Sequence, residues 1–162
     1  MRGTTSSASL VTLATIIVAS LASPVVPASA APTDDACAFL TKKDAVAALG
    51  EDVTQSDSKS GLPMGPGMIA SSCEYTGSGY HKIHLNLMRL TPDTAAIYQT
   101  LCAKKGKEGL TGLGETSCWY NNEHEELQVL KGTLFFSIEL RGLKNPTEPI
   151  KAAAKSVFAR LK

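Results

Sequence analysis

The chain lacks a surplus of charge of either sign: 16 Lys and Arg stand against 15 Asp and Glu, for a net charge of +1. It has no basic stripe, no polybasic tail and no aromatic-plus-basic platform, so nothing in it attracts a polyanion and no nucleic-acid partner is expected. Gly-x-Ser-x-Gly is absent, and His81, His84 and His124 are the only histidines. None of them sits in a local pattern that would activate a serine. No Cys-x-x-Cys occurs, which removes the common dithiol-redox and clustered metal-ligand motifs. These absences predict a protein that is not an enzyme and carries no cofactor.

The first 30 residues are of a different kind from the rest. Arg2 is the lone charge, Leu10 to Ala22 is a run of apolar and small residues, and Ala28-Ser29-Ala30 is a small-x-small cleavage signature. The run is about a dozen residues, short of the roughly 20 that a membrane-spanning helix needs. Residues 1–30 therefore read as a secretory signal peptide, and 31–162 as a single secreted or periplasmic domain without a membrane anchor after cleavage. Without Arg2 the basic and acidic residues balance. A lipid anchor would need a Cys directly after the apolar run, and Cys37 comes well past it, behind Asp34-Asp35-Ala36.

Four cysteines, Cys37, Cys73, Cys102 and Cys118, all lie in the secreted part. In an oxidising compartment an even count reads as disulfides, with three connectivities open. Cys37–Cys73 with Cys102–Cys118 is favoured, because each pair joins sequence neighbours and ties a helix to a following strand.

Helices are marked by their caps. Thr41 with Asp44 forms a variant capping box, Val46 and Leu49 give an apolar face, and Gly50 suits the left-handed stop. A second helix starts at Thr91-Pro92 and runs to Gly106. A third starts at Asn145-Pro146 and carries Ile150, Ala154, Val157, Phe158 and Leu161 as one stripe. Strands alternate. Ile83, Leu85 and Leu87 oppose His84, Asn86 and Met88; Leu134, Phe136, Ile138 and Leu140 oppose Phe135, Ser137, Glu139 and Arg141. Leu127 and Val129 mark a shorter strand that turns at Lys131-Gly132, and Gly77-Ser78-Gly79 and Asn121-Asn122 read as further turns. The fold class is α+β: an antiparallel sheet of five or six strands with three helices on one face. Residues 54–70, polar and then rich in Gly and Pro, read as an exposed mobile loop.

Ser72-Cys73-Glu74-Tyr75 is echoed by Ser117-Cys118-Trp119-Tyr120. A turn, an alternating strand and a Pro-started helix follow each copy, which suggests an internal pseudo-repeat.

The segment from Cys37 to Gly50 (Cys-Ala-Phe-Leu-Thr-Lys-Lys-Asp-Ala-Val-Ala-Ala-Leu-Gly) resembles the opening of a broad group of small exported proteins and lipoproteins of actinobacteria, of unknown function. Gly112-Leu113-Gly114-Glu115, Trp119 and Leu127 to Gly132 are similar to that group's second half. A lipobox is missing, and Cys118 stands where the group has a small apolar residue. The resemblance implies an exported domain with no established activity and no catalytic residues to carry over.

Function narrows to binding. The first expectation is an interaction module of the bacterial envelope or medium that meets an unknown ligand or protein through His84, Met88, Phe135 and Met64. The alternative is a secreted inhibitor of an extracellular enzyme, with Gly61-Leu62-Pro63-Met64 as bait. A lesser one is a copper-binding protein using Met64, Met68, Met88, His81 and His84, soft and imidazole ligands suited to that ion. Glu123-His124-Glu125-Glu126 reads as a solvated turn.

Overall fold

The computed structural model describes residues 35–105 and 110–161. The expected signal peptide and the Gly106 end of the second helix lie outside the described residues. Within them the order is α1 (Ala36–Phe39), α2 (Lys42–Leu49), β1 (Thr54–Gly65), β2 (Met68–Thr76), β3 (Lys82–Arg89), α3 (Pro92–Ala103), β4 (Thr116–Trp119), β5 (Glu126–Lys131), β6 (Leu134–Arg141) and α4 (Thr147–Arg160). The six strands form one antiparallel sheet in the order β1-β2-β3-β6-β5-β4. The fold is α+β. No helix among the described residues is long and apolar enough to cross a membrane.

Local chemistry sets the helix limits. The Thr41 hydroxyl accepts from the Asp44 N–H, the Asp44 carboxylate accepts from the Thr41 N–H, and Gly50 ends α2 at φ 72°. At the start of α3 the Thr91 hydroxyl accepts from the Thr94 N–H, without a reciprocal bond, and Pro92 opens the helix. One short helix, α1, has no sequence signal beyond Asp35, whose carboxylate accepts from the Cys37 N–H at 2.9 Å.

One sheet face makes the main core. Cys73 and Tyr75 on β2, Ile83, Leu85 and Leu87 on β3, Phe136, Ile138 and Leu140 on β6, Leu127 and Val129 on β5 and Trp119 on β4 all point inward. They meet Ala36 and Leu40 around α1, Ala45, Ala48 and Leu49 of α2, and Ile150, Ala153, Ala154 and Val157 of α4. The period-2 strands and the 3.6-period stripe of α4 thus bury the faces their patterns mark.

Three expectations are corrected. The helices do not share one face. Among the described residues there are four; α1, α2 and α4 lie on the inner face, while α3 lies on the outer one, where Ala95 and Tyr98 pack with Leu130, Phe135 and Met88. Residues 54–70 are not a loop but the arms and turn of the β1–β2 hairpin. β1 is a sheet edge with one neighbour and is exposed almost throughout, so no apolar alternation marks it; an edge also tolerates Pro63. Finally, the echo does not fall on equivalent positions. Cys73 pairs across the sheet with inward Leu85, whereas Cys118 pairs with Gln128, which points outward between inward Leu127 and Val129. A one-residue change of phase reverses the face of every side chain.

Both favoured disulfides are present, and the phase difference puts them on opposite faces. Cys37–Cys73 ties α1 to the inner face and Cys102–Cys118 ties α3 to the outer one.

The inner layer has one further clamp. The Arg160 guanidinium donates to both Asp44 carboxylate oxygens, at 2.7 and 3.1 Å, and to the Phe39 carbonyl at 2.6 Å. It joins the end of α4 to the start of α2. Burial alone would raise the Asp44 pKa, but the hydrogen bonds from Arg160 and Thr41 outweigh it and hold the carboxyl below its ordinary value. A carboxyl lowered on folding adds stability that is present above its unfolded pKa and is lost as the pH falls through the folded one. Arg160→Met is therefore expected to lower the unfolding free energy by about 1–2 kcal/mol at pH 7, since the pair is partly solvated. The deficit should shrink below about pH 4, where Asp44 protonates in the unfolded chain. Urea titrations at pH 7 and pH 3 check this; an equal deficit at both contradicts it.

Candidate functional site

The outer face is a ladder of three rows, fixed by strand register. Reading from β1 through β2, β3 and β6 to β5, the first row is four carboxylates and a histidine: Asp57, Glu74, His84, Glu139, Glu126. The second is polar: Lys59, Ser72, Asn86, Ser137, Gln128. The third is apolar: Leu62, Ala70, Met88, Phe135, Leu130. Cross-strand partners share a face and are near neighbours, so each row is a continuous strip.

Helix α3 covers only part of this face. Tyr98 sits on Phe135 with ring centroids 4.5 Å apart, and the Cys102–Cys118 bond holds the helix above β4. The uncovered part is an open trough of about 660 Å³ floored by the polar row, with Leu62 and Met64 of the hairpin on one side and Tyr98 and Tyr120 on the other. A smaller hollow of about 330 Å³ continues it past Glu74 and His84 to Tyr80, Lys82 and Arg141. All four residues expected to form a binding face, His84, Met88, Phe135 and Met64, line the trough. Ser72, Asn86, Ser137, Gln128 and Tyr98 line it too but were not singled out as binding residues; the alternation of β3 and β6 was the signal that placed Asn86 and Ser137 beside the others.

The cations in and beside the trough are each matched by a carboxylate, and Glu126 alone of its carboxylates has no cation among the described residues. Lys59 pairs with Asp57 at 3.1 Å, Lys82 with Glu74 at 3.1 Å and Arg141 with Glu139 at 2.6 Å. Burial works against the Glu74 carboxylate, but hydrogen bonds from Ser56 and Lys82 prevail and hold its pKa below the ordinary value. The Gln128 side-chain amide donates to Glu126 at 3.2 Å, and the Asn86 amide lies 3.5 Å from His84 Nδ1.

The other sequence candidates do not converge. His84 and Met88 are four residues apart on one strand, about 13 Å at the rise of an extended chain, and cannot share a copper ion. His81 is committed elsewhere. Its Nδ1 lies 2.8 Å from a Glu51 oxygen, and the other Glu51 oxygen accepts from the Ser78 hydroxyl. Glu51 stands between serine and histidine, so the three clamp the β2–β3 turn rather than activate a nucleophile. The bonds from Ser78 and then His81 lower the Glu51 pKa. Among the described residues no three of His, Cys, Asp and Glu are grouped to hold a metal. The bait segment Gly61-Leu62-Pro63-Met64 lies within β1.

His124 departs from its expected place. It takes φ 56° and stacks on Trp119 at 4.5 Å, so it covers the indole instead of pointing into solvent from a turn. A second cleft, about 460 Å³, opens there between Lys104, Lys105, Tyr120 and Asn121. Lys105 closes on Tyr120, donating to its carbonyl at 2.9 Å and lying 4.5 Å from its ring centre. That leaves the registered outer face as the stronger site. No protein-family model, no curated protein and no solved structure matches the chain, and its function is read from that face.

Proposed function

We propose that the protein is an exported binding domain of the bacterial envelope or medium and that the outer-face trough is its ligand site. The observation that carries this reading is the registered ladder. Five strands place a polar strip between a carboxylate-rich strip and an apolar one, and α3 leaves it uncovered. A folded sheet has no structural need for an open concave face with convergent polar groups, whereas such faces suit ligands. Two disulfides fit an oxidising compartment, and the signal-like residues 1–30 and the resemblance to exported actinobacterial proteins support the same location. The enzyme-inhibitor reading is weaker. The edge that would present the bait carries Lys59, Pro63 and three register shifts, devices that discourage strand pairing by a partner.

The test is a titration of isotope-labelled protein with a small-molecule extract of the producing cells' envelope. The side-chain amide signals of Asn86 and Gln128 are expected to shift and saturate, and Asn86→Arg, which fills the floor, is expected to abolish the Gln128 response. Shifts confined to the Glu51–His81 turn or the Trp119 cleft would contradict the proposal.

A further inference from the structure

We infer that the ligand of the trough is a neutral oligosaccharide, an inference that rests on the reading of this face as the binding site. Three properties of the face point to that class. First, the positive charges on and beside it, Lys59, Lys82 and Arg141, are each paired with a carboxylate, and Glu126 is held only by the Gln128 amide, so an anionic ligand finds no unmatched counter-charge. Second, its hydrogen-bonding strip consists mainly of uncharged hydroxyls and amides, Ser72, Asn86, Ser137 and Gln128, which can donate and accept toward a hydroxyl. Third, that strip runs beside an apolar one under the ring of Tyr98, with Tyr120 exposed at the rim. A sugar chain presents both kinds of surface, hydroxyls along its edges and C–H groups on its faces. Aromatic rings with polar tips suit such mixed surfaces.

The dimensions agree. The polar strip crosses four inter-strand steps from β1 to β5, about 19 Å, which suits a short chain of sugar rings better than one ring. The trough is open, as a chain lying across it requires.

Other ligand classes fit less well. An extended peptide draws affinity from main-chain pairing at a strand edge, and across the face of the sheet those groups are already bonded. A fatty chain would lie over the amides of Asn86 and Gln128 and leave them desolvated without partners, which opposes binding.

The experiment is a parallel titration of isotope-labelled protein with chitotetraose, cellotetraose and maltotetraose, an uncharged octapeptide, and laurate. The inference expects at least one tetrasaccharide to shift the side-chain amides of Asn86 and Gln128 and the ring of Tyr98 saturably. Asn86→Ala and Gln128→Ala should each weaken that binding roughly tenfold, the scale of a lost hydrogen bond. Their spectra away from the trough should stay unchanged, which separates lost contacts from lost fold. If the peptide or laurate alone saturates the same signals, the saccharide assignment is overturned while the trough remains the binding site. If no tetrasaccharide moves them, the assignment is also overturned, and the extract titration above judges the trough independently.

Discussion

Replacing Phe136 with alanine is expected to lower the unfolding free energy by about 4 kcal/mol, in the range found for Phe deleted from a packed core. Phe136 lies on β6, which pairs with β3 on one side and β5 on the other, and it is fully buried. Its cross-strand neighbours on the inner face are Leu87 and Val129, both almost fully buried. The loss combines the transfer free energy of the ring with a cavity that a sheet bonded on both sides cannot close by collapsing. Phe135 is the internal control. It is next in the chain but points to the outer face, where it meets Tyr98 and the trough. Phe135→Ala should cost less, because Phe135, although only 3 % exposed, belongs to the smaller outer cluster with Leu90, Ala95 and Leu130. Urea unfolding of both variants measures the difference; equal losses would contradict the division of β6 into a core face and a site face.

Removing the Cys37–Cys73 bond by serine substitution at both positions should have a similar effect, about 4 kcal/mol from the chain entropy of the loop it closes. Both sulfurs belong to the inner layer, with Cys73 fully buried and Cys37 packed against the same core. Removing Cys102–Cys118, which closes a shorter loop, should cost about 3 kcal/mol in the same model. The two losses should also differ in kind. Loss of the first bond loosens α1 over the core, whereas loss of the second releases α3 from the outer face and opens the wall of the trough. Thermal melts give the magnitudes, and the Tyr98 and Phe135 ring signals should move only in the Cys102→Ser, Cys118→Ser protein. Variants that melt like the parent would contradict the assignment.

Much of this was legible in the chain because its signals are local. The Thr41–Asp44 capping box, Gly50, Thr91-Pro92 and the stripe of α4 each fix a helix within a few residues. The alternation of β3 and β6 placed Leu85 and Ile138 on one face and Asn86 and Ser137 on the other before any register was known. The favoured cysteine pairs are those found. What escaped is non-local. An edge strand buries little, so β1 carried no pattern and read as a loop. Nothing in α3 itself states which side of the sheet it will cover. Its inner surface is only Ala95, Tyr98 and Cys102, while Ile97 and Leu101 stay exposed, so its apolar residues mark no single buried stripe. The decisive signal was the phase of Cys118, between the inward residues Ser117 and Trp119; the echo with Cys73 concealed it by suggesting that the two cysteines were equivalent. Three trough residues, His84, Met88 and Phe135, follow from strand alternation, and Met64 from the reading of 54–70 as an exposed loop. The trough itself was not, because its wall depends on the side that α3 takes.

That placement is the claim on which the site depends, and nuclear Overhauser contacts of the Tyr98 ring test it directly. With α3 on the outer face, the ring protons of Tyr98 show strong cross-peaks to those of Phe135, whose ring centre is 4.5 Å away. Cross-peaks from Tyr98 to Leu85 or Ile138 of the inner face, with none to Phe135, would contradict it.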